Sequence, residues 1–450
     1  MTDYIVAIDL GTSHITGIVG EKNEDGTFSI IAYETENPSS CIYRGNIYNV
    51  ENTAACVTGL IQKLEVSLKG RFIDRVYIGV GGQSLRTIDH VESKVIKEGE
   101  IVSEEGIRIL KDQCEKYKPD LVDVLYIVPA VYYLDGRREV NPVGVTCKQT
   151  GRLEARYKIV VGRPSIRMDI EKSIKDRCGK EVVDIVVAPL ALADAMLSKE
   201  EKDLGCALVD FGAGVTSIAI YKNGDLIRMA IIPLGGNLIT RDITSLQLTE
   251  AAAENLKIEH GSAIPDKEDD NKMIKVLMEG GDREVSLNDL NAIIEGRAKE
   301  ITENVYARIS EAIDLKLLGS GIVLAGCASA LKGLRELLKD RCKIKIRYSA
   351  IRDRLVRGRD DMIGNPQYMQ AVSLMLKGTQ TCVSQPIVTQ EEHVVTETEG
   401  ERKKESDGFF KRRNKEKKLK EPKPEPLVDE ANDKKKNGLG GFFGDFFRED

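Results

Sequence analysis

IVAIDLGTSHITGIVG at residues 5–20 and ALVDFGAGVTSIAIY at residues 207–221 carry one pattern twice: an apolar strand ending in Asp, a short Gly-bearing turn, and a second apolar strand. Each copy continues through a polar turn into a third strand, FSIIAYE after residues 23–26 and LIRMAIIPL after residues 223–225, and the Asn-Gly pair at 223–224 is a strong hairpin signal. A three-strand unit repeated about 200 residues apart predicts two similar lobes facing each other, not a short-period solenoid. If the two turns converge, small residues let backbone N–H groups approach an anion closely. Gly11, Thr12 and Ser13 form the first turn, and Gly212, Ala213, Gly214, Val215 and Thr216 the second, with the hydroxyls of Thr12, Ser13 and Thr216 as added donors. The product is a two-sided phosphate clamp. Asp9 and Asp210 then lie beside the phosphates, where carboxylates require a cation, and Mg²⁺ held largely through water meets that requirement.

The rest of the chain narrows the class. Its 450 residues are 41% hydrophobic and 31% charged, which suits a globular α/β protein of two to four domains and excludes collagen-like, mucin-like and wholly disordered chains. The most apolar stretches, residues 121–134 and 182–197, carry Asp123, Asp184 and Asp194, and fall short of the roughly 18 uninterrupted apolar residues of a membrane span. MTDYIVAIDL has no basic n-region, so no signal peptide is expected. Nine cysteines without a Cys-x-x-Cys pair predict neither a local zinc site nor a redox dithiol, and suit a reducing cytoplasm. Sixty-six basic against 72 acidic residues leave a net charge of −6, so no nucleic-acid partner is expected.

A third element, GIVLAGCASALKGL at residues 321–334, runs from an apolar strand through Gly326, Cys327 and Ala328 into a helix, a shape that lets a flat ring lie against backbone. The chain has no G-x-x-x-x-G-K-[ST] loop and no G-x-G-x-x-G opening a helix, which sets aside P-loop and Rossmann readings. Two phosphate turns followed by a late adenosine turn resemble the actin/hexokinase/DnaK superfamily, and DFGAGVT at 210–216 is similar to actin's second phosphate loop. Within it, NPVG at 141–144, IPLGGNLITRDI at 232–243, AENLKIEHGSA at 253–263 and the 321–334 stretch resemble the FtsA family of bacterial cell-division proteins, over roughly residues 3–377.

The resemblance implies an actin-like two-lobed fold with duplicated mixed-sheet domains. Residues 1–83 and 166–193 would form the first lobe, closed by a helix within 350–377, with an inserted subdomain at 84–165 and the second lobe at 194–349. ATP with Mg²⁺ is the implied ligand. Gly11, Thr12, Ser13 and His14 would face its phosphates, His14 standing where the family commonly has Lys. Gly235, Gly236, Asn237, Glu254, Lys257, Gly326, Cys327 and Ala328 would face the nucleoside, Cys327 replacing a common Gly. From the residues alone, Glu254 and Lys257 equally suit a solvated helix face. Ala188-Pro189 stands where actin-like relatives often place Glu-Pro, so no water-orienting group is evident and slow or negligible hydrolysis is expected.

The same resemblance implies partners. The insert would contact neighbouring subunits and other division proteins, and a subdomain at about 233–310 would dock the C-terminal peptide of the tubulin-like protein FtsZ through Arg297 and Glu300. These two sit beside an amphipathic pattern of Ile293, Ile294, Ile301, Val305 and Ile309, and a solvated helix face is the alternative reading.

Composition changes near Gly378. Residues 378–436 are polar and predict a flexible linker, with 14 basic and 9 acidic residues between 401 and 436. That run is either a solvated tether or an electrostatic contact with anionic lipid. Six of the nine Phe fall at 409, 410, 442, 443, 446 and 447. Leu439, Phe442, Phe443, Phe446 and Phe447 share one face of a helix over 437–450. Gly440, Gly441 and Gly444 cost such a helix about 1 kcal/mol each in water. Burying each Phe at a bilayer returns roughly 1.5–3 kcal/mol, so one tail anchors weakly and a filament of linked tails anchors firmly. Docking into a protein groove is the alternative use, and GFFK at 408–411 is a candidate second contact.

Together these features predict an ATP-binding scaffold that polymerises on the cytoplasmic face of the membrane and tethers FtsZ at the division septum. Another actin-like membrane scaffold, of pilus-assembly or shape-determining type, is the first alternative. A sugar kinase and a chaperone of the same superfamily are more distant ones.

Overall fold

The computed structural model describes residues 3–38, 41–266, 272–278, 281–352, 354–359, 362 and 364–384. The expected tail, with Leu439, Phe442, Phe443, Phe446 and Phe447, lies outside the described residues. Val- and Ile-rich runs form two sheets. The first has six strands in the order Glu181–Val187, Arg75–Val80, Asp3–Leu10, Ile15–Lys22, Phe28–Glu36 and Val356–Arg357. The second has ten, and from its middle to one edge it runs Asp225–Ile232, Thr216–Lys222, Cys206–Phe211, Gly321–Ala325 and Ile346–Tyr348.

The duplication is topological as well as sequential. Asp3–Leu10 pairs antiparallel with Ile15–Lys22 and parallel with Arg75–Val80. Cys206–Phe211 repeats this, antiparallel with Thr216–Lys222 and parallel with Gly321–Ala325. A parallel neighbour requires a long crossover, supplied by helix Val50–Val66 in the first lobe and helix Leu287–Ala312 in the second. Asn49 caps the first helix by accepting from Asn52 N at 3.0 Å, and Val57, Leu60, Ile61 and Leu64 recur at helical spacing to reach the sheet. Gly17 permits that approach, because a Cβ there would lie 2.8 Å from Leu64 and 2.9 Å from Leu60. Ser286 caps the second, which buries Leu290, Ile294, Ala298, Ile301, Val305 and Ile309.

Between the lobes' halves, Arg86–Ile96 and Gly151–Gly162 form a long antiparallel ladder covered on one face by helix Glu104–Glu115. It has its own core, including Leu110, Leu153, Ala155 and Ile159. Arg86 pairs with Ala230, and Met229 N donates to Thr87 Oγ1 at 3.1 Å, so the ladder extends the second lobe's sheet.

Helix Pro366–Met375 closes the first lobe, capped by Asn365. It lies so near the sheet that a Cβ at Gly20 would run into Met375, and one at Gly79 into Leu374. The folded body continues past Gly378, where the linker was expected to begin. Cys382 N donates to Tyr4 O at 2.6 Å, its carbonyl accepts from Asp74 N at 3.0 Å, and Thr379 and Gln380 N both donate to the Tyr77 hydroxyl. These bonds use backbone groups, which composition does not report. No helix among the described residues is long and apolar enough to cross a membrane.

Candidate functional site

The two Asp-ended strands point their turns into one cleft. Asp9, Gly11, Thr12, Ser13 and His14 line it from one side, and Asp210, Gly212, Ala213, Gly214, Val215, Gly326 and Cys327 from the other. The turns touch: a Cβ on Gly214 would lie 2.5 Å from Thr12 Oγ1 and 3.0 Å from Arg44 Cα. Thr12 is held by its own lobe, its hydroxyl accepting from Gly45 N at 3.0 Å, and His14 Nδ1 lies 3.0 Å from Ser13 Oγ. Gly326, at φ +81°, has no room for a side chain against Phe211 O and the Asp210 carboxylate.

Burial pushes the Asp9 carboxyl up to about 7, and the charge of Asp210 adds to the effect. Burial likewise pushes Asp210 up to about 6, against the pull of Ser217 Oγ, which donates to Asp210 Oδ2 at 3.2 Å. Two carboxylates sharing a desolvated cleft repel each other when both are ionised, and a cation relieves that repulsion. Among the described residues, the N–H groups of Thr12, Ser13, Ala213, Gly214 and Val215 have no hydrogen-bond acceptor within the protein. Unsatisfied N–H groups on two facing turns, next to paired carboxylates, complement a phosphate chain carrying a cation. The residues present therefore fit a nucleotide with a divalent ion.

Thr216 is placed differently from its expected role. It is fully buried and its hydroxyl donates to Leu234 O at 2.8 Å, so it does not serve as a phosphate donor. Successive strand side chains alternate faces, and Ser217, one residue on, is the one that lines the cleft. Ser217 sits opposite Asp210 in the ladder as Thr16 sits opposite Asp9. Both were missed, although each follows its Asp by seven residues in the repeat.

Gly235, Gly236 and Asn237 stand behind the second turn. Gly236 N donates to Gly212 O at 3.0 Å and Asn237 N to Ala213 O at 2.9 Å, so the start of helix Gly236–Ile243 braces that turn. A Cβ on Gly236 would lie 3.2 Å from that of Ala328. Lys257 Nζ reaches Gly236 O at 3.2 Å, Thr240 Oγ1 at 2.8 Å and Glu254 Oε2 at 2.7 Å, and Thr240 also bonds Glu254. The Glu254–Lys257 pair is thus tied to the brace and is more than a solvated helix face. Arg297 Nε donates to Asp242 Oδ2 at 2.6 Å, and its guanidinium also pairs with Glu300. The Asp242 hydrogen bond and charge hold the Arg297 pKa above its ordinary value. Ala188, Pro189, Pro366, Gln367 and Gln370 complete the cleft wall, and sequence reading had put nothing at the last three.

Two lobes built on one duplicated hairpin, meeting over a cleft that both turns line, define an actin-like protein. A family model for Cell division protein FtsA matches residues 207–373. Cell division protein FtsA of Porphyromonas gingivalis is 32% identical over 390 residues, covering 85% of this chain and 80% of that one. FtsA of Bacillus subtilis is 29% identical over 384 residues, covering 83% of each. A solved structure of a PilM-PilN type IV pilus biogenesis complex matches at TM-score 0.55 and 16% identity, over 83% of this chain and 97% of that one. The chain belongs to the FtsA family of cell division proteins.

Proposed function

We propose that this protein binds ATP with Mg²⁺ in the interlobe cleft and polymerises on the cytoplasmic face of the membrane, where it tethers FtsZ at the division septum. The carrying observation is the convergence of the two turns and the carboxylates of Asp9 and Asp210 on one cleft. The free N–H groups of residues 12, 13 and 213–215 would hold phosphate oxygens, and Asp9 and Asp210 would hold the ion through its water. Mg²⁺ supplies charge neutralisation between phosphate oxygens and carboxylates when bound. Gly326, Cys327 and Ala328 would face the base, with Lys257 and Glu254 supporting the helix start beside it.

Arg297 and Glu300 are the proposed contacts for the FtsZ C-terminal peptide, and the 86–162 ladder is the proposed surface for subunit and division-protein contacts. The Phe-bearing end of the chain is the proposed lipid contact. Liposome co-sedimentation of the intact chain against one ending at Ser384, with and without ATP, tests the scheme. Loss of lipid binding on truncation, with ATP binding kept, is the expected result. Equal sedimentation of both chains would remove the membrane role.

A further inference from the structure

Hydrolysis of a terminal phosphoryl group needs a residue that holds the attacking water in line. Ala188 offers only a methyl group there, and Asp9 and Asp210 are engaged with the ion under the reading above, on which this inference rests. The cleft wall contains two side-chain amides with no task so far, Gln367 and Gln370. Gln370 Nε2 donates to Ala188 O at 2.9 Å across 182 residues of sequence, which fixes the amide beside the position that lacks a polar side chain. With its nitrogen so engaged, Oε1 has no donor among the described residues and remains a neutral acceptor on a side chain that lines the cleft. Among the described residues, no hydrogen bond orients the Gln367 amide in the same way. The element that carries Gln370 is rigid, because helix Pro366–Met375 is pressed onto the sheet at Gly20 and Gly79 and capped by Asn365.

We propose that Gln370 orients the hydrolytic water, supplying from the closing helix the group missing at Ala188. Oε1 accepts a hydrogen bond from the water, whose oxygen attacks the γ-phosphorus. The new P–O bond forms as the bond to the β–γ bridging oxygen breaks, and ADP departs with that oxygen and its electron pair. The water's proton passes to a phosphoryl oxygen of the inorganic phosphate, and the amide itself gives up no proton. A neutral acceptor orients without deprotonating, so turnover is slow yet dependent on Gln370.

The test measures single-turnover phosphate release from ATP by the full chain, as wild type, Gln370→Ala and Gln370→Met, beside the affinity for a fluorescent ATP analogue and the thermal midpoint. Both variants are expected to release phosphate at least about tenfold more slowly at saturating ATP, with affinity kept within about threefold and the midpoint little changed. Met preserves the length of the side chain and removes only the amide, so a fault in helix packing would not explain a loss in both. Release within about twofold of wild type overturns the assignment. So does a loss that appears only in ATP affinity, which would make Gln370 a strut between two helices. Wild type that binds the analogue but releases no phosphate above background also overturns it, while leaving the ATP reading intact. Failure of wild type to bind the analogue at all would instead sink the ATP reading.

Discussion

The turns at residues 11–14 and 212–215 share one hairpin backbone and differ in what holds them. The first leans on its own lobe through the bond from Gly45 N to Thr12 Oγ1. The second is braced from behind by Gly236 N and Asn237 N. The cross-strand hydroxyls differ too: Ser217 bonds Asp210, whereas Thr16 lines the cleft without a side-chain bond to Asp9. Burial raises both carboxyls; the charge of Asp210 raises Asp9 further, whereas the Ser217 hydroxyl pulls Asp210 down. Duplication set the positions of the carboxylates, and local support separated their chemistry. The second turn is also connected outward, since helix Gly236–Ile243 braces it at one end and meets Arg297 through Asp242 at the other.

The largest effect is expected at the carboxylates. Asp210→Ala should weaken ATP binding in Mg²⁺ by about a hundredfold or more, because the buried carboxylate proposed to hold the ion is lost, and equilibrium titration with a fluorescent ATP analogue reads it directly. Binding unchanged in Asp210→Ala would mean the ion sits elsewhere. Next in size is the contact between turns. Gly214→Val places side-chain atoms against Thr12 and Arg44, so it should hold the lobes apart and cost about 1–3 kcal/mol of stability in denaturant unfolding.

Asp9→Asn sharpens the difference between the carboxyls. The folded state holds the Asp9 proton more tightly than the unfolded chain, whose carboxyl titrates near 3.8, so this group's contribution to stability is fully present below about 4 and declines as pH rises through 7. Ligand-free Asp9→Asn should therefore gain about 1–3 kcal/mol over wild type at pH 8 and little at pH 4, even as it loses Mg²⁺ dependence. Equal gains at both pH values would contradict the assignment of the raised carboxyl. The smallest effect is expected at the far end of the brace. Arg297→Glu should weaken the FtsZ peptide several-fold in a binding titration while stability changes by about 1 kcal/mol or less, as its ion pairs are partly solvent-exposed. Peptide affinity equal to wild type would remove Arg297 from the proposed docking surface.

Several of these residues were legible because they repeat. The Asp9 and Asp210 turns, and the Gly326 turn after an apolar strand, appear as patterns of residue type along the chain. Thr216 was misread because a turn and the strand after it look continuous in sequence, while alternation sends adjacent hydroxyls to opposite faces. Gly45, Pro366 and Gln370 had no local signal, since each reaches the cleft from an element that is remote in the chain and close in space. The polar side chains after Gly378 read as linker, although the backbone of residues 379–384 completes hydrogen bonds beside Tyr4 and Asp74.

By itself the amino-acid sequence determined the duplicated strand-turn-strand unit, the mixed α/β class, the family and the small residues of both turns, because residue size, polarity and period are local properties. Tertiary structure alone decided that the two turns touch, that Ser217 in place of Thr216 faces Asp210, that Lys257 supports a helix start, and that Gln370 stands beside Ala188. Those facts depend on which distant backbones approach within hydrogen-bonding distance. That is settled by how two sheets and a closing helix pack, and no local pattern of residues encodes it.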